Sequence, residues 1–122
     1  MISGMHLTLY GSEKTVDKLR EFMRDVLRLP LFDAGGEWPI FYMPGEIGCH
    51  PDEEAGPRKP ARYELAFVCK DLDGTVADLK TRGVKFVQEI HDAGWGRLTS
   101  FSMPGAITAV LYEPHYRGPQ PQ

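Results

Sequence analysis

The sequence lacks any apolar run approaching the roughly 18–20 residues that a membrane-spanning helix requires, which excludes a helical membrane anchor within these 122 residues. It also lacks a basic excess. Fourteen Lys and Arg stand against seventeen Asp and Glu, for a net charge of −3. Without a Lys/Arg stripe the phosphate backbone of a nucleic acid has no counterpart here, so nucleic acid is excluded as the main partner. The first residues have no basic region, apolar stretch and small-residue cleavage site, and the expected location is cytoplasmic. Cysteine is scarce, with only Cys49 and Cys69. Both fall inside predicted strands and read as reduced packing residues. There is no CxxC, no Gly-rich phosphate loop and no nucleophile motif.

What the sequence does contain is a repeat. Phe41-Tyr42-Met43-Pro44-Gly45-Glu46-Ile47 returns as Phe101-Ser102-Met103-Pro104-Gly105-Ala106-Ile107, an offset of 60 residues (41 to 101). Thr15-Val16-Asp17-Lys18-Leu19 is echoed at the same offset (15 to 75) by Thr75-Val76-Ala77-Asp78-Leu79, and Asp33-Ala34-Gly35 at 59 (33 to 92) by Asp92-Ala93-Gly94. Such a period signals two copies of one supersecondary unit. Each half alone would be marginal, so one domain with a shared core or joint sheet is expected over residues 1–122.

Periodicity gives the unit. Met5 to Tyr10 alternates as a strand. Ser12 then caps a helix carrying Val16, Leu19, Phe22, Met23, Val26 and Leu27, which ends before Pro30. A short strand at Leu31-Phe32, a turn at 33–36, a strand at Trp38 to Met43, a Pro44-Gly45 turn and a strand at Glu46 to His50 complete βαβββ over about 5–50. A linker with three prolines follows over about 51–62. The second copy, about 63–114, repeats the order: strand Tyr63 to Cys69, helix capped by Asp71 and closed by Gly83, then strands Val84 to Ile90, Arg97 to Met103 and Ala106 to Tyr112. Residues 115–122 form a tail expected to fray. The predicted class is α+β, two tandem βαβββ modules whose curved sheets enclose a cleft.

Strand alternation then divides the faces. Leu7, Leu9, Leu65 and Phe67 are assigned to helix-covered faces, with Ile47, Cys49, Ile107 and Ala109 beside them. The opposite faces carry His6, Thr8 and Tyr10; Glu64, Ala66 and Val68; Glu46, Gly48 and His50; and Ala106, Thr108 and Val110. Two imidazoles and a carboxylate, His6, His50 and Glu64, thus share the open faces. They occupy symmetry-related places, His6 beside Glu64 and His50 beside Val110. Imidazole nitrogen and carboxylate oxygen are the usual ligands of Zn, Ni, Fe and Mn, and three of them leave positions open for substrate. Each of these residues alone is equally at home as a surface side chain.

The paired βαβββ pattern, the stretch Phe67 to Val84, the Gly94-Trp95-Gly96-Arg97 segment and the Leu111-Tyr112-Glu113-Pro114 ending resemble the vicinal oxygen chelate superfamily, which holds glyoxalase I, fosfomycin-resistance enzymes, extradiol dioxygenases and bleomycin-resistance proteins. The resemblance spans about residues 5–114. It implies one metal ligand from the first and last strand of each module. His6 matches the first such position, Glu64 replaces the usual His, and His50 lies at or within two residues of a position that is often Glu. Val110 stands where a Glu is usual, so the set of four falls to at most three.

Two readings follow. In one, a divalent metal on His6, His50 and Glu64 polarises neighbouring oxygens of a small substrate, as a lyase or dioxygenase of this superfamily would require. In the other, the cleft is a metal-free site for a small molecule or drug, with Tyr10, Tyr42, Trp95, Val110 and Tyr112 as candidate lining. The tyrosines and Trp95 fit equally as packing residues. Arg97 is expected in a surface ion pair, and Glu113 is expected to face away from the cleft. His91 and His115 receive no role. A sheet face left uncovered in each module, together with the resemblance, predicts a homodimer.

Overall fold

The structure is a computed structural model that describes residues 6–33, 39–45, 48 and 63–116, with the backbone alone of Asp33. It is a mixed α+β fold, as the pattern predicts.

The second half follows the expected order closely. Strand β3 (Ala66–Val68) leads to helix α2 (Leu72–Thr81), short strand β4 (His91–Asp92) and the long hairpin β5 (Gly96–Met103) and β6 (Ile107–Pro114). The sheet order is β3-β6-β5-β4, with β3 parallel to β6 and the other pairs antiparallel. Asp71 caps α2 by accepting the Gly74 N–H at 3.1 Å, and Gly83 beyond its end adopts φ +87°, a conformation that costs a side-chain-bearing residue. Leu72, Val76 and Leu79, spaced for one helix face, are all buried. Pro104-Gly105 turns the hairpin, and the register from Met103↔Ile107 to Gly96↔Pro114 follows from that turn.

The strand expected over Val84 to Ile90 is reduced to an isolated bridge, Phe86 to Phe101, and regular pairing begins only at His91. Side chains replace the ladder in between. The Thr99 hydroxyl donates to the Gln88 carbonyl at 2.8 Å, and the Gln88 amide donates to Ser100 Oγ at 2.7 Å. Such bonds compete with backbone pairing.

In the first half, helix α1 (Glu13–Glu21) is capped by Ser12 Oγ, which accepts the Thr15 N–H at 3.2 Å. It widens into a π-helical turn, Phe22–Val26, where Leu27 N–H reaches back to Phe22 O. Arg28 then takes a positive φ of 54° before Pro30. Strands β1 (Leu31–Asp33) and β2 (Pro39–Phe41) pair antiparallel, the latter shorter than the expected Trp38 to Met43. The expected strand at Met5 to Tyr10 is corrected: His6–Tyr10 carries no strand pairing, and Leu7 and Tyr10 are exposed. The turn at 33–36 and the strand from Glu46 to His50 fall largely outside the described residues, as do Cys49 and His50 themselves.

Among the described residues both helices feed one core. Leu19 of α1 joins Leu72, Val76, Leu79, Phe101, Met103, Ala109 and Leu111 in one buried cluster. Phe101 is 0% exposed and contacts the rings of Phe22, Phe67 and Phe86, with centroids 6.4, 6.1 and 5.8 Å away. Arg82 donates from α2's end to Val26 O at 2.7 Å. A shared core was expected from the length of each half, and the two helices supply it.

Candidate functional site

Alternation along β3 and β6 separates two faces. Phe67, Ala109 and Leu111 enter the core, whereas Ala66, Val68 and Thr108 are exposed. Val110 is half-buried, and its register partners are Ala66 on one side and Ser100 on the other. The face opposite the helices is therefore apolar or hydroxylated, without an ion pair in this row.

A cleft of about 510 Å³ opens where this face meets the N-terminal segment. Leu7, Thr8, Leu9 and Tyr10 form one wall, and Tyr63, Glu64 and Leu65 line it from the residues preceding β3. Ile107, Thr108 and Val110 of β6, with Ser100 of β5, complete it. The segments 7–10 and 63–65 are where the sequence repeat places the start of each copy, and both border this cleft. Leu65 O accepts the Val110 N–H at 3.0 Å, which ties the residues before β3 to the middle of β6.

The polar inventory of this cleft is small. Ser100 is buried and its Oγ accepts from Gln88, which leaves its own O–H to donate. Thr8 and Thr108 add two further hydroxyls, and Tyr10 and Tyr63 are 89% and 84% exposed. Among the described residues Glu64 is the one carboxylate in the lining, and no Lys, Arg or His joins it.

Tyr10, Glu64 and Val110 of the expected site residues thus meet in one cleft. His6 directly precedes the lining in the chain and is exposed. Tyr42 is 69% exposed and lies outside the lining. Trp95 and Tyr112 also lie outside it and pack edge to face at a centroid distance of 5.2 Å, with Tyr112 Oη 3.3 Å from Tyr116 Oη. Leu7, Leu9, Leu65 and Ile107 were assigned to helix-covered faces; Leu9, Leu65 and Ile107 do pack against the core, and all four also border the cleft. Leu7 alone departs from its expected face: it is 48% exposed, in a segment, His6–Tyr10, that carries no strand pairing. Ser100 was missed, although counting back from the Pro104-Gly105 turn sets it opposite Val110.

The fit to a metal ion can be tested on the donors. Among the described residues no three His, Cys, Asp or Glu side chains are grouped to hold an ion. His6 and Glu64 are described, and His50 lies outside. Two donors do not complete a site that retains an ion against water, so the described set does not fit a metal centre by itself.

Neighbouring charges are engaged elsewhere. Arg97 pairs with Asp73 at 2.9 Å, and both side chains keep substantial exposure. Asp73 sits well below the usual carboxylate range, chiefly through the Arg97 hydrogen bond. Glu113 faces away from the cleft as expected, accepting the Leu72 N–H at 3.3 Å at the start of α2. Cys69 carries a free thiol that burial pushes upward, the direction of an inert packing residue.

Comparison with known proteins agrees with this architecture. A family model described as Glyoxalase/Bleomycin resistance protein/Dioxygenase superfamily matches residues 6–115. No curated protein gives a significant sequence match. Among solved structures, the chain is similar to TnmS3, an antibiotic binding protein from Streptomyces sp. CB03234, at 21% identity and a TM-score of 0.59, covering 93% of this chain and 99% of that one. It is similar to a superfamily member from Sphaerobacter thermophilus DSM 20745 at 21% identity and TM-score 0.62, covering 92% and 98%. A lactoylglutathione lyase from Agrobacterium tumefaciens shares 16% identity at TM-score 0.57, covering 91% and 92%. At these identities the likeness is one of fold. No helix among the described residues is long and apolar enough to cross a membrane.

Proposed function

The chain belongs to the Glyoxalase/Bleomycin resistance protein/Dioxygenase superfamily, and we propose that it acts there as a small-molecule binding protein, holding an amphipathic compound in the cleft between Leu7–Tyr10 and the start of β6. The observation that carries this reading is the lining itself: among the described residues, five aliphatic side chains, two tyrosines, three serine or threonine hydroxyls, one carboxylate and no basic group. Ligand cavities are concave, mostly apolar, and use a few polar groups to orient what they hold. The antibiotic binding protein among the similar folds supports the same reading.

A metal-assisted reading rests on the same carboxylate. His6, His50 and Glu64 would be its ligands, and a Zn, Ni, Fe or Mn ion would supply Lewis acidity to oxygens of a small substrate. The experiment that separates the two is an equilibrium titration with the neutral dye Nile red, with and without chelator. Saturable binding that chelator leaves unchanged is expected, and Val110→Trp, which puts an indole into the cleft, weakens it while melting near the wild-type temperature. Absence of binding, or binding lost on chelation, overturns the reading. We further propose that the protein works in the cytoplasm as a homodimer. Val68 is half exposed beside Ala66 on the uncovered sheet face, and burial of that face would favour pairing. Fractionation of expressing cells and light scattering test these two points; a secreted product or a particle of about one chain mass counts against them.

A further inference from the structure

Resting on the binding reading above, we infer that the compound held in this cleft carries a positive charge beside a flat apolar body. Among the described residues the lining holds one acidic side chain, Glu64, and no Lys, Arg or His beside it. Every other carboxylate of β5, β6 and α2 that faces a cation is already engaged. Asp73 holds Arg97, Asp78 holds Arg82 at 2.8 Å, and Asp92 holds the His115 ring at 3.2 Å. Glu64 has no such partner among the described residues, and the chain's net charge of −3 adds potential of the same sign.

The rest of the lining fits the apolar part of the same molecule. Tyr10 and Tyr63 are the two aromatic side chains of the cleft and both keep their faces largely open. Exposed aromatic faces attract flat ring systems, and a cation gains further by lying over them. Leu9, Leu65 and Val110 supply aliphatic contact, and the Ser100 O–H remains free to donate to a carbonyl or ether oxygen of the ligand. An anionic compound would meet an uncompensated carboxylate in a half-enclosed space and be rejected.

A set of probes sharing one ring system isolates charge from shape. Acridine is neutral at pH 7.5, 9-aminoacridine is a cation and acridine-9-carboxylate is an anion. Competition with Nile red gives the affinity of each. The cation is expected to bind about tenfold more tightly than acridine at low salt, the anion at least tenfold more weakly, and the spread to narrow as NaCl is raised. Glu64→Gln is expected to bring the cation-to-neutral ratio close to one, with the melting temperature reporting an intact fold. Equal binding of all three probes, tighter binding of the anion, or a ratio unchanged in Glu64→Gln overturns the charge assignment while the binding function stands. Failure of Nile red and every acridine to bind overturns both.

Discussion

Replacing Val110 by Glu sets the two readings of the cleft against each other with opposite signs. Val110 pairs in register with Ala66, and Glu64 lies two residues before Ala66. Two residues along a strand and one strand across put the new Cβ roughly 8 Å from that of Glu64. Two carboxylates at that separation repel by about 0.5–2 kcal/mol, depending on how much water the cleft admits. Loss of the half-buried valine's apolar contact adds about 1 kcal/mol. For a domain of this size, roughly 4 °C per kcal/mol turns the total into a fall of about 6–12 °C in Tm. Protonation of either carboxylate removes the repulsion, so the gap between wild type and variant narrows as pH falls from 7 toward 4. Calorimetry in chelator, and again in excess Zn²⁺ or Ni²⁺, is the assay. The binding reading expects the fall to be the same in both. A variant that metal raises above the metal-loaded wild type would refute the reasoning, since a ligand bound only by the native state stabilises it by mass action.

Phe101→Ala removes a 0% exposed ring with three aromatic neighbours and is expected to cost about 3–5 kcal/mol in urea unfolding; a cost under about 1.5 kcal/mol would contradict the shared core. Asp92 is held below the usual carboxylate range by the Gly94 N–H first and His115 second. Its contribution is therefore present above the ordinary Asp value and disappears as pH falls through the lowered one. Carboxyl NMR should show a depressed midpoint for Asp92 that rises in His115→Ala, and an unperturbed midpoint in the wild type would dismiss the pairing.

The second half was legible in the sequence because its signals agree with one another. Asp71 caps, Leu72, Val76 and Leu79 share a helix face, and Pro104-Gly105 fixes the register of eight cross-strand pairs. The first half was less legible. Leu7 and Leu9 alternate with polar residues as a strand would, and Leu9 does pack on the core, but His6–Tyr10 carry no strand pairing and Leu7 is exposed. The site was legible in part. The repeat pointed to Glu64 and Val110, and strand alternation to Tyr10, and these three line one cleft. Leu65, Ile107 and Ser100 depend on how the edge of the sheet meets a second segment, and local periodicity does not encode that meeting.

Leu19 and Leu79 occupy the same place in the two copies of the repeat, at the offset of 60 (19 to 79), and both are buried in a single cluster. A duplication that had produced two self-contained parts would let each copy drift alone. Here a change in volume at either leucine is felt by the other, because both border the same sheet face. Substitutions at the two sites should therefore be non-additive. At the cleft the repeat positions differ in residue type, His6 against Glu64, whereas the two buried leucines share one interior.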